Sequence, residues 1–207
     1  MASPPIRPRW EWRIFERFPA RFIGTLGPRA DADSSSELYL LSARSPHNTK
    51  IRGGQLDVKL LECVGQNGLE LWRPVFKRPF PIAAEELGPV WKAWGIPAAA
   101  TTRAVYTLDE FLVDIVSPLR DVVRAVSVVK ARSKLTQLAC QAERALLTLG
   151  DDQWETFALE DEDPARILTA QRSLGAALPR GSNYPAWLKG LVGMSDTSIP
   201  SSARVYI

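Results

Sequence analysis

The sequence predicts an α+β fold: an antiparallel eight-stranded β-barrel with a polar lining, in effect a tunnel, with helices packed outside it. Three observations predict this. Apolar and charged residues alternate with a period of two in run after run, and turn signals separate the runs. The polar side of these runs carries a repeated mixture of Arg, Lys and carboxylates. Helices are confined to a few segments with clear end signals.

The first strand is the clearest, Arg9 to Glu16, where charges at 9, 11 and 13 alternate with large apolar groups at 10, 12 and 14. Ala20 to Leu26 reads as a short helix, and Gly27 to Ser36, rich in Pro, Asp, Ala and Ser, as a loop. Glu37 to Ser42 returns as a strand. Thr49 to Arg52 and Leu56 to Leu61 flank Gly53-Gly54 and make a hairpin, and Cys63 to Trp72 makes a second around Asn67-Gly68. Pro74, Pro79 and Pro81 assign the next stretch to an edge or an irregular segment.

Helix ends follow. Ala83 to Trp94 is a helix interrupted at Gly88-Pro89, and Thr107 with Glu110 forms a capping box opening Leu108 to Val116. Asp163-Pro164 opens a helix that Gly175 ends, and Asn183 precedes another from Pro185 to Val192. Three strand-like runs lie between: Ala125 to Leu135, Leu138 to Leu149 and Gln153 to Glu162, the last two joined by Gly150-Asp151-Asp152. About eight strands are enough to close a barrel.

A chain of 207 residues suits one domain, assigned to 1–194 with a polar tail at 195–207. Its formal charge of +3 names no partner. No apolar run approaches the roughly 18 residues of a spanning helix, and Met1-Ala2-Ser3-Pro4-Pro5 lacks the character of a secretory signal, so the expectation is a cytoplasmic protein without membrane contact. Cys63 and Cys140 lack metal-ligand spacing and read as buried structural thiols, and a single histidine argues against zinc.

Each strand alone reads as half-buried, apolar side inward. Together they read differently. Arg9, Glu11 and Arg13; Lys50 and Arg52; Asp57 and Lys59; Lys130 and Arg132; and Glu160 and Glu162 repeat on the charged side of successive strands. A barrel that turns this side inward cannot hold a hydrophobic core there, because unpaired buried charge is too costly. It holds water, ions and an anionic ligand instead. Converging Arg and Lys would grip phosphate oxygens, and carboxylates would hold a hard divalent cation. Because the basic residues alternate within strands, a contiguous nucleic-acid platform is disfavoured. For Glu160 and Glu162, flanked by Asp161 and Asp163, an acidic surface leading into a helix cap is an equal alternative. His47 reads as a solvent-exposed loop residue, Ser34-Ser35-Ser36 as a polar loop, and Trp10, Trp12, Trp72, Trp91 and Trp94 as packing between barrel and helices.

At these residues the sequence resembles the CYTH superfamily, the triphosphate tunnel metalloenzymes, which include inorganic triphosphatases, thiamine triphosphatases and class IV adenylyl cyclases. Arg9-Trp10-Glu11-Trp12-Arg13 resembles the family's E-x-E-x-K strand, with Arg9 in place of the first carboxylate. Lys50-Ile51-Arg52, then Gln55-Leu56-Asp57-Val58-Lys59, is similar to its paired basic strand and hairpin lysine, and Lys130-Ala131-Arg132 to a later basic strand. Cys140-Gln141-Ala142-Glu143, Ala158 to Pro164, Leu174-Gly175 and Asn183-Tyr184-Pro185 with Leu188 resemble its last acidic strands, the following helix and the N-Y-P turn.

The resemblance implies phosphate binding by Arg9, Arg13, Lys50, Arg52, Lys59, Lys130 and Arg132, and Mg²⁺ or Mn²⁺ held by Glu11, Glu143, Glu160 and Glu162, with metal-activated water as nucleophile and no side-chain nucleophile. The expected function is metal-dependent hydrolysis of inorganic triphosphate or another triphosphate-bearing small molecule. Arg9 favours an alternative, a degenerate tunnel that binds polyphosphate-containing ligands without turnover. Cyclisation of ATP is a third reading, and a monomer or homodimer the expected assembly.

Overall fold

The computed structural model describes residues 7–15, 33–65, 68–135, 140–175 and 178–194. Its main body is a closed barrel of eight antiparallel strands: β1 (Arg9–Phe15), β2 (Asp33–Ser42), β3 (Asn48–Arg52), β4 (Gln55–Val64), β5 (Glu70–Pro79), β8 (Val123–Leu135), β9 (Gln141–Leu149) and β10 (Asp152–Asp161), in the spatial order β1-β10-β9-β8-β2-β3-β4-β5. A two-stranded ribbon of β6 (Ile82–Ala83) and β7 (Val105–Tyr106) stands apart. Four helices lie among the described residues: α1 (Gly88–Trp94), α2 (Leu108–Glu110, continuing as a wider π-helical stretch Phe111–Val116), α3 (Pro164–Ser173) and α4 (Tyr184–Leu191). None of the described helices is long and apolar enough to cross a membrane.

Local chemistry fixes these boundaries as the sequence predicts. Gly53 and Gly54 both have positive φ (55° and 69°), which a two-residue hairpin turn matching the strand twist demands. Thr107 accepts from Glu110 N while Glu110 reaches back to Thr107 N at 2.9 Å. Asp163 accepts from Ala165 N, and Asn183 from Ala186 N, each with a proline in the first helical turn. Pro74 and Pro79 lie in a barrel strand, yet β5 pairs with β1 only through Glu70, Leu71 and Trp72, so the prolines occupy a stretch with one unpaired edge. The second hairpin is present as β4 and β5; Asn67 and the helix expected at Ala20 to Leu26 lie outside the described residues, as does the tail 195–207.

One expectation is overturned. Asp33 to Ser36 belong to β2 rather than to a loop, in register with Arg132, Ala131, Lys130 and Val129 of β8. Ten consecutive register positions with β8 outweigh the poor strand propensity of Asp and Ser.

Two apolar clusters lie on the outside of the barrel wall. Leu40, Ile51, Leu56, Val58 and Phe76 pack under Trp91 and Trp94 of α1 and Phe111 and Ile115 of α2. Trp12, Ile14, Phe157 and Leu159 pack under Ile167 and Ala170 of α3. Because Cβ directions alternate along a strand, burying these residues outward sends Glu11, Arg13, Lys50, Asp57, Lys130 and Glu160 inward. A third cluster is different. Tyr39, Leu41, Val128, Ala145 and Leu147 share the inward face with the charges and pack against Tyr184 and Leu188 of α4. The interior is therefore polar at one end and stoppered by α4 at the other.

Candidate functional site

The polar end encloses a cavity of about 160 Å³ lined by Glu11, Arg13, Tyr39, Asn48, Lys50, Arg52, Asp57, Lys59, Trp72, Lys130, Arg132, Glu143, Glu160, Asn183, Tyr184 and Pro185. Register explains the convergence. Lys50 lies opposite Tyr39 and Asp57, Asn48 opposite Lys59, and Glu11 opposite Glu160, so neighbouring strands add neighbouring charges to one face. Six of the lining residues are cations and four are carboxylates.

A fifth carboxylate organises the cations. Glu37 is completely buried, with Oε2 2.9 Å from Lys130 Nζ and 3.0 Å from Lys50 Nζ, and Oε1 3.5 Å from Arg52 Nη1 and 3.7 Å from Arg132 Nη2. Tyr39 Oη donates to Glu37 Oε2 at 2.9 Å and accepts from Lys130 Nζ at 2.7 Å. Burial raises the Glu37 pKa, but Lys50 and Lys130 more than offset it and hold the carboxyl well below its ordinary range. Burial, reinforced by Lys50, depresses the Lys130 pKa despite Glu37 beside it. Arg132 Nη2 also donates to Ser35 Oγ at 2.7 Å, so the serine run read as a bland loop contributes to the lining wall.

The other wall centres on Arg13. Its Nε donates to Glu11 Oε1 at 2.9 Å, and its Nη1 to Glu143 Oε1 at 3.4 Å and to Thr156 Oγ1 at 3.3 Å. Burial raises the Glu11 pKa, and Arg13 reverses that to a net lowering. Arg9 Nε lies 3.0 Å from Glu160 Oε1. Burial and the nearby Glu11 raise the Glu160 pKa. Below them Glu70, opposite Glu11 in register, accepts from Asn183 Nδ2 at 2.7 Å and from Trp72 Nε1 at 3.1 Å; burial lifts its pKa to about 7. Lys59 makes no ion pair among the described residues. A partly apolar hollow of about 250 Å³ adjoins the cavity, sharing Arg13, Glu143 and Glu160 and adding Lys134, Leu135, Gln141, Ala142 and Ala158.

Of the residues singled out in the sequence, Glu11, Arg13, Lys50, Arg52, Lys59, Lys130, Arg132, Glu143 and Glu160 line the cavity. Arg9 meets it only through Glu160, and Glu162, just past β10, lies outside, paired with Arg7 at 3.3 Å. Two bland readings are corrected. His47 is partly buried, and its Nδ1 accepts the Leu61 N–H at 3.0 Å, bracing the loop before β3. Trp72 lines the tunnel instead of packing under a helix. Sequence reading missed Glu37, Tyr39, Glu70 and the tunnel-facing role of Tyr184; only for Glu37 and Tyr39 was there a signal, the period-two spacing of polar groups in Glu37-Leu38-Tyr39.

The donor set does not fit a preformed divalent-cation centre. Glu11 and Glu143 both hold Arg13, and Glu160 holds Arg9. Among the described residues no group of three His, Cys, Asp or Glu side chains is placed to hold a metal ion.

A scan against family models and a search of curated proteins return no match for the chain. Among solved structures it is similar to a proposed adenylate cyclase from Bacillus halodurans (9% identity, 92% of this chain and 91% of that one, TM-score 0.45). It is also similar to a proposed adenylyl cyclase from Hippeastrum with a dominant triphosphatase activity (11% identity, 93% and 98%, TM-score 0.47), and to a conserved hypothetical protein from Pyrococcus furiosus (14% identity, 96% and 97%, TM-score 0.41). Similarities this remote carry no argument about chemistry, which rests on the residues of this chain.

Proposed function

We propose that the tunnel binds the triphosphate group of a small molecule. The observation that carries the reading is the convergence of Arg13, Lys50, Arg52, Lys59, Lys130 and Arg132 on one enclosed cavity. Six cations drawn from four strands exceed what a single phosphate group engages. A linear polyphosphate meets them in succession, with the guanidinium forks matching paired phosphate oxygens. The motif resemblance of Lys50 to Lys59 and of Lys130 to Arg132 is what favours a triphosphate among polyphosphates. Lys59, without an ion pair among the described residues, is the cation most available to a ligand.

Hydrolysis of the bound triphosphate is the second reading, favoured by Glu11, Glu143 and Glu160 on the same cavity. Since arginines hold these carboxylates, Mg²⁺ or Mn²⁺ enters this reading as an ion carried in on the phosphate oxygens. The test is calorimetric titration with inorganic triphosphate, beside phosphate release with Mg²⁺ and with Mn²⁺. Loss of one charged contact in Lys59→Ala weakens binding about 10- to 100-fold, from about 1.5–3 kcal/mol per charge-assisted hydrogen bond. Absence of any triphosphate binding by wild type overturns the proposal. Metal-dependent release abolished by Glu11→Gln supports hydrolysis; tight binding without release leaves capture alone.

A further inference from the structure

We propose that the tunnel is blind at its α4 end and that Tyr184 there is a ligand-binding residue whose hydroxyl donates to a terminal phosphate, so that the protein takes only phosphate chains with a free end. This rests on the triphosphate reading and narrows it to a ligand class.

The end is blind because its inward-facing residues are apolar and filled. Tyr39, Leu41, Val128 and Leu147, all buried, close on Tyr184 and Leu188 as a packed plug below the charged cavity. A ligand enters from the far mouth and meets Tyr184 last.

Tyr184 is built into that position. Its ring stacks on Tyr39 with centroids 5.2 Å apart and takes the edge of Phe15 at 5.0 Å. Lys130 Nζ sits 3.5 Å from the ring centroid and Arg13 Cζ 4.7 Å, so one aromatic ring orients a cation from each wall. The helix that carries it is moored by Ser182 N to Arg13 O at 2.7 Å and by Asn183 Nδ2 to Glu70. Yet the hydroxyl, at the end of a side chain about 95% buried and lining the cavity, has no hydrogen-bond partner among the described residues. A buried, unsatisfied hydroxyl is costly, and a ligand oxygen between Lys130 and Arg13 would satisfy it. Burial also raises the phenol pKa, which keeps it a neutral donor to an anion.

The consequence is selective. A terminal phosphate fits a closed end ringed by donors, whereas a chain esterified at both ends would have to pass through α4. Calorimetry with inorganic triphosphate, a nucleoside triphosphate and a dinucleoside triphosphate tests this. The first two bind comparably, and the doubly esterified one binds at least about tenfold more weakly. Tyr184→Phe keeps the ring and its cation contacts and removes a costly unsatisfied hydroxyl, so its melting temperature equals or exceeds that of wild type while triphosphate affinity falls about tenfold. Equal binding of the dinucleoside triphosphate, or unchanged affinity in Tyr184→Phe, overturns this inference and leaves the triphosphate reading intact. Failure of all three ligands to bind wild type overturns both.

Discussion

Glu37 Oε2 and Lys130 Nζ face each other at 2.9 Å in the barrel interior, both side chains almost without solvent contact. The carboxylate is the shared counterion of Lys50, Arg52, Lys130 and Arg132, and without it four cations would crowd one low-dielectric space. Removing one partner of a buried pair leaves uncompensated charge, so Glu37→Gln lowers stability by about 3–5 kcal/mol in denaturant unfolding. The folded pKa of Glu37 is depressed below 4.5, so its contribution is present above that pH and is lost on acidification toward the folded value. Wild type therefore loses melting temperature more steeply than Glu37→Gln as pH falls below 4.5. Parallel acid limbs would show that the four cations do not depend on this carboxylate.

Glu70 has the opposite sign. Burial and its neighbour Glu11 raise its folded pKa to about 7, against the hydrogen bonds from Asn183 and Trp72. An acid with a raised folded pKa binds more protons folded than unfolded between pH 4.5 and 7, so its contribution is complete below 4.5 and is lost as pH rises through 7. The upper bound is on the order of 3 kcal/mol. Thermal unfolding at pH 5 and pH 7.5 should show wild type more stable at pH 5, and Glu70→Gln should narrow that difference. An unchanged difference would place the titration on another group.

How much of this was legible in the sequence depends on the range of each signal. Turn and cap chemistry is local, so Gly53-Gly54, Thr107 with Glu110, Asp163-Pro164 and Asn183-Tyr184-Pro185 announce their elements directly. The period of two places Glu11, Arg13, Lys50, Lys59 and Lys130 on one side of their strands, and closing the barrel turns that side inward. Register and burial are long-range. Nothing in Glu37 itself says that four cations from β3 and β8 will surround it, and Ser35 reads as loop until ten pairings with β8 make it wall. In the sequence Tyr184 reads as part of an N-Y-P turn before a helix. Its place between Arg13 and Lys130 depends on where α4 docks, 171 positions beyond Arg13 in the chain.

That docking relies on two glycines. The Gly68 and Gly181 backbones approach so closely that a Cβ on Gly181 would lie 2.6 Å from Gly68 O and 2.6 Å from Trp12 Cδ1. Neither the backbone nor the completely buried Trp12 can give way cheaply. Gly181→Ala should therefore lower stability by about 1–3 kcal/mol, the range for overpacking. It should also displace the Ser182 N to Arg13 O bond that sets the start of α4. If Tyr184 is positioned through this contact, triphosphate affinity falls in the same variant at temperatures where it remains folded. Lost stability with unchanged affinity would make the glycine contact a packing feature alone.

Arg9 stands on the inward side of β1, where the resembled motif has a carboxylate, and its ion pair with Glu160 accounts for one of the acids that a metal would need. Arg9→Glu reverses that charge, frees Glu160 and sets three carboxylates, those at 9, 11 and 160, around the pairing of β1 with β10. Without metal the variant should be less stable than wild type, because like charges across a strand pair repel. With Mn²⁺ the repulsion becomes affinity, since hard cations take carboxylate oxygens. At a hundredfold excess over its dissociation constant the ion stabilises by about 2.7 kcal/mol. For a domain of this size that is a rise of about 5–10 °C in melting temperature. The expected result is a Mn²⁺-dependent rise in Arg9→Glu and little or none in wild type without triphosphate. An equal rise in wild type would mean that Glu11, Glu143 and Glu160 release their arginines to hold the ion, and would move the balance from capture toward hydrolysis.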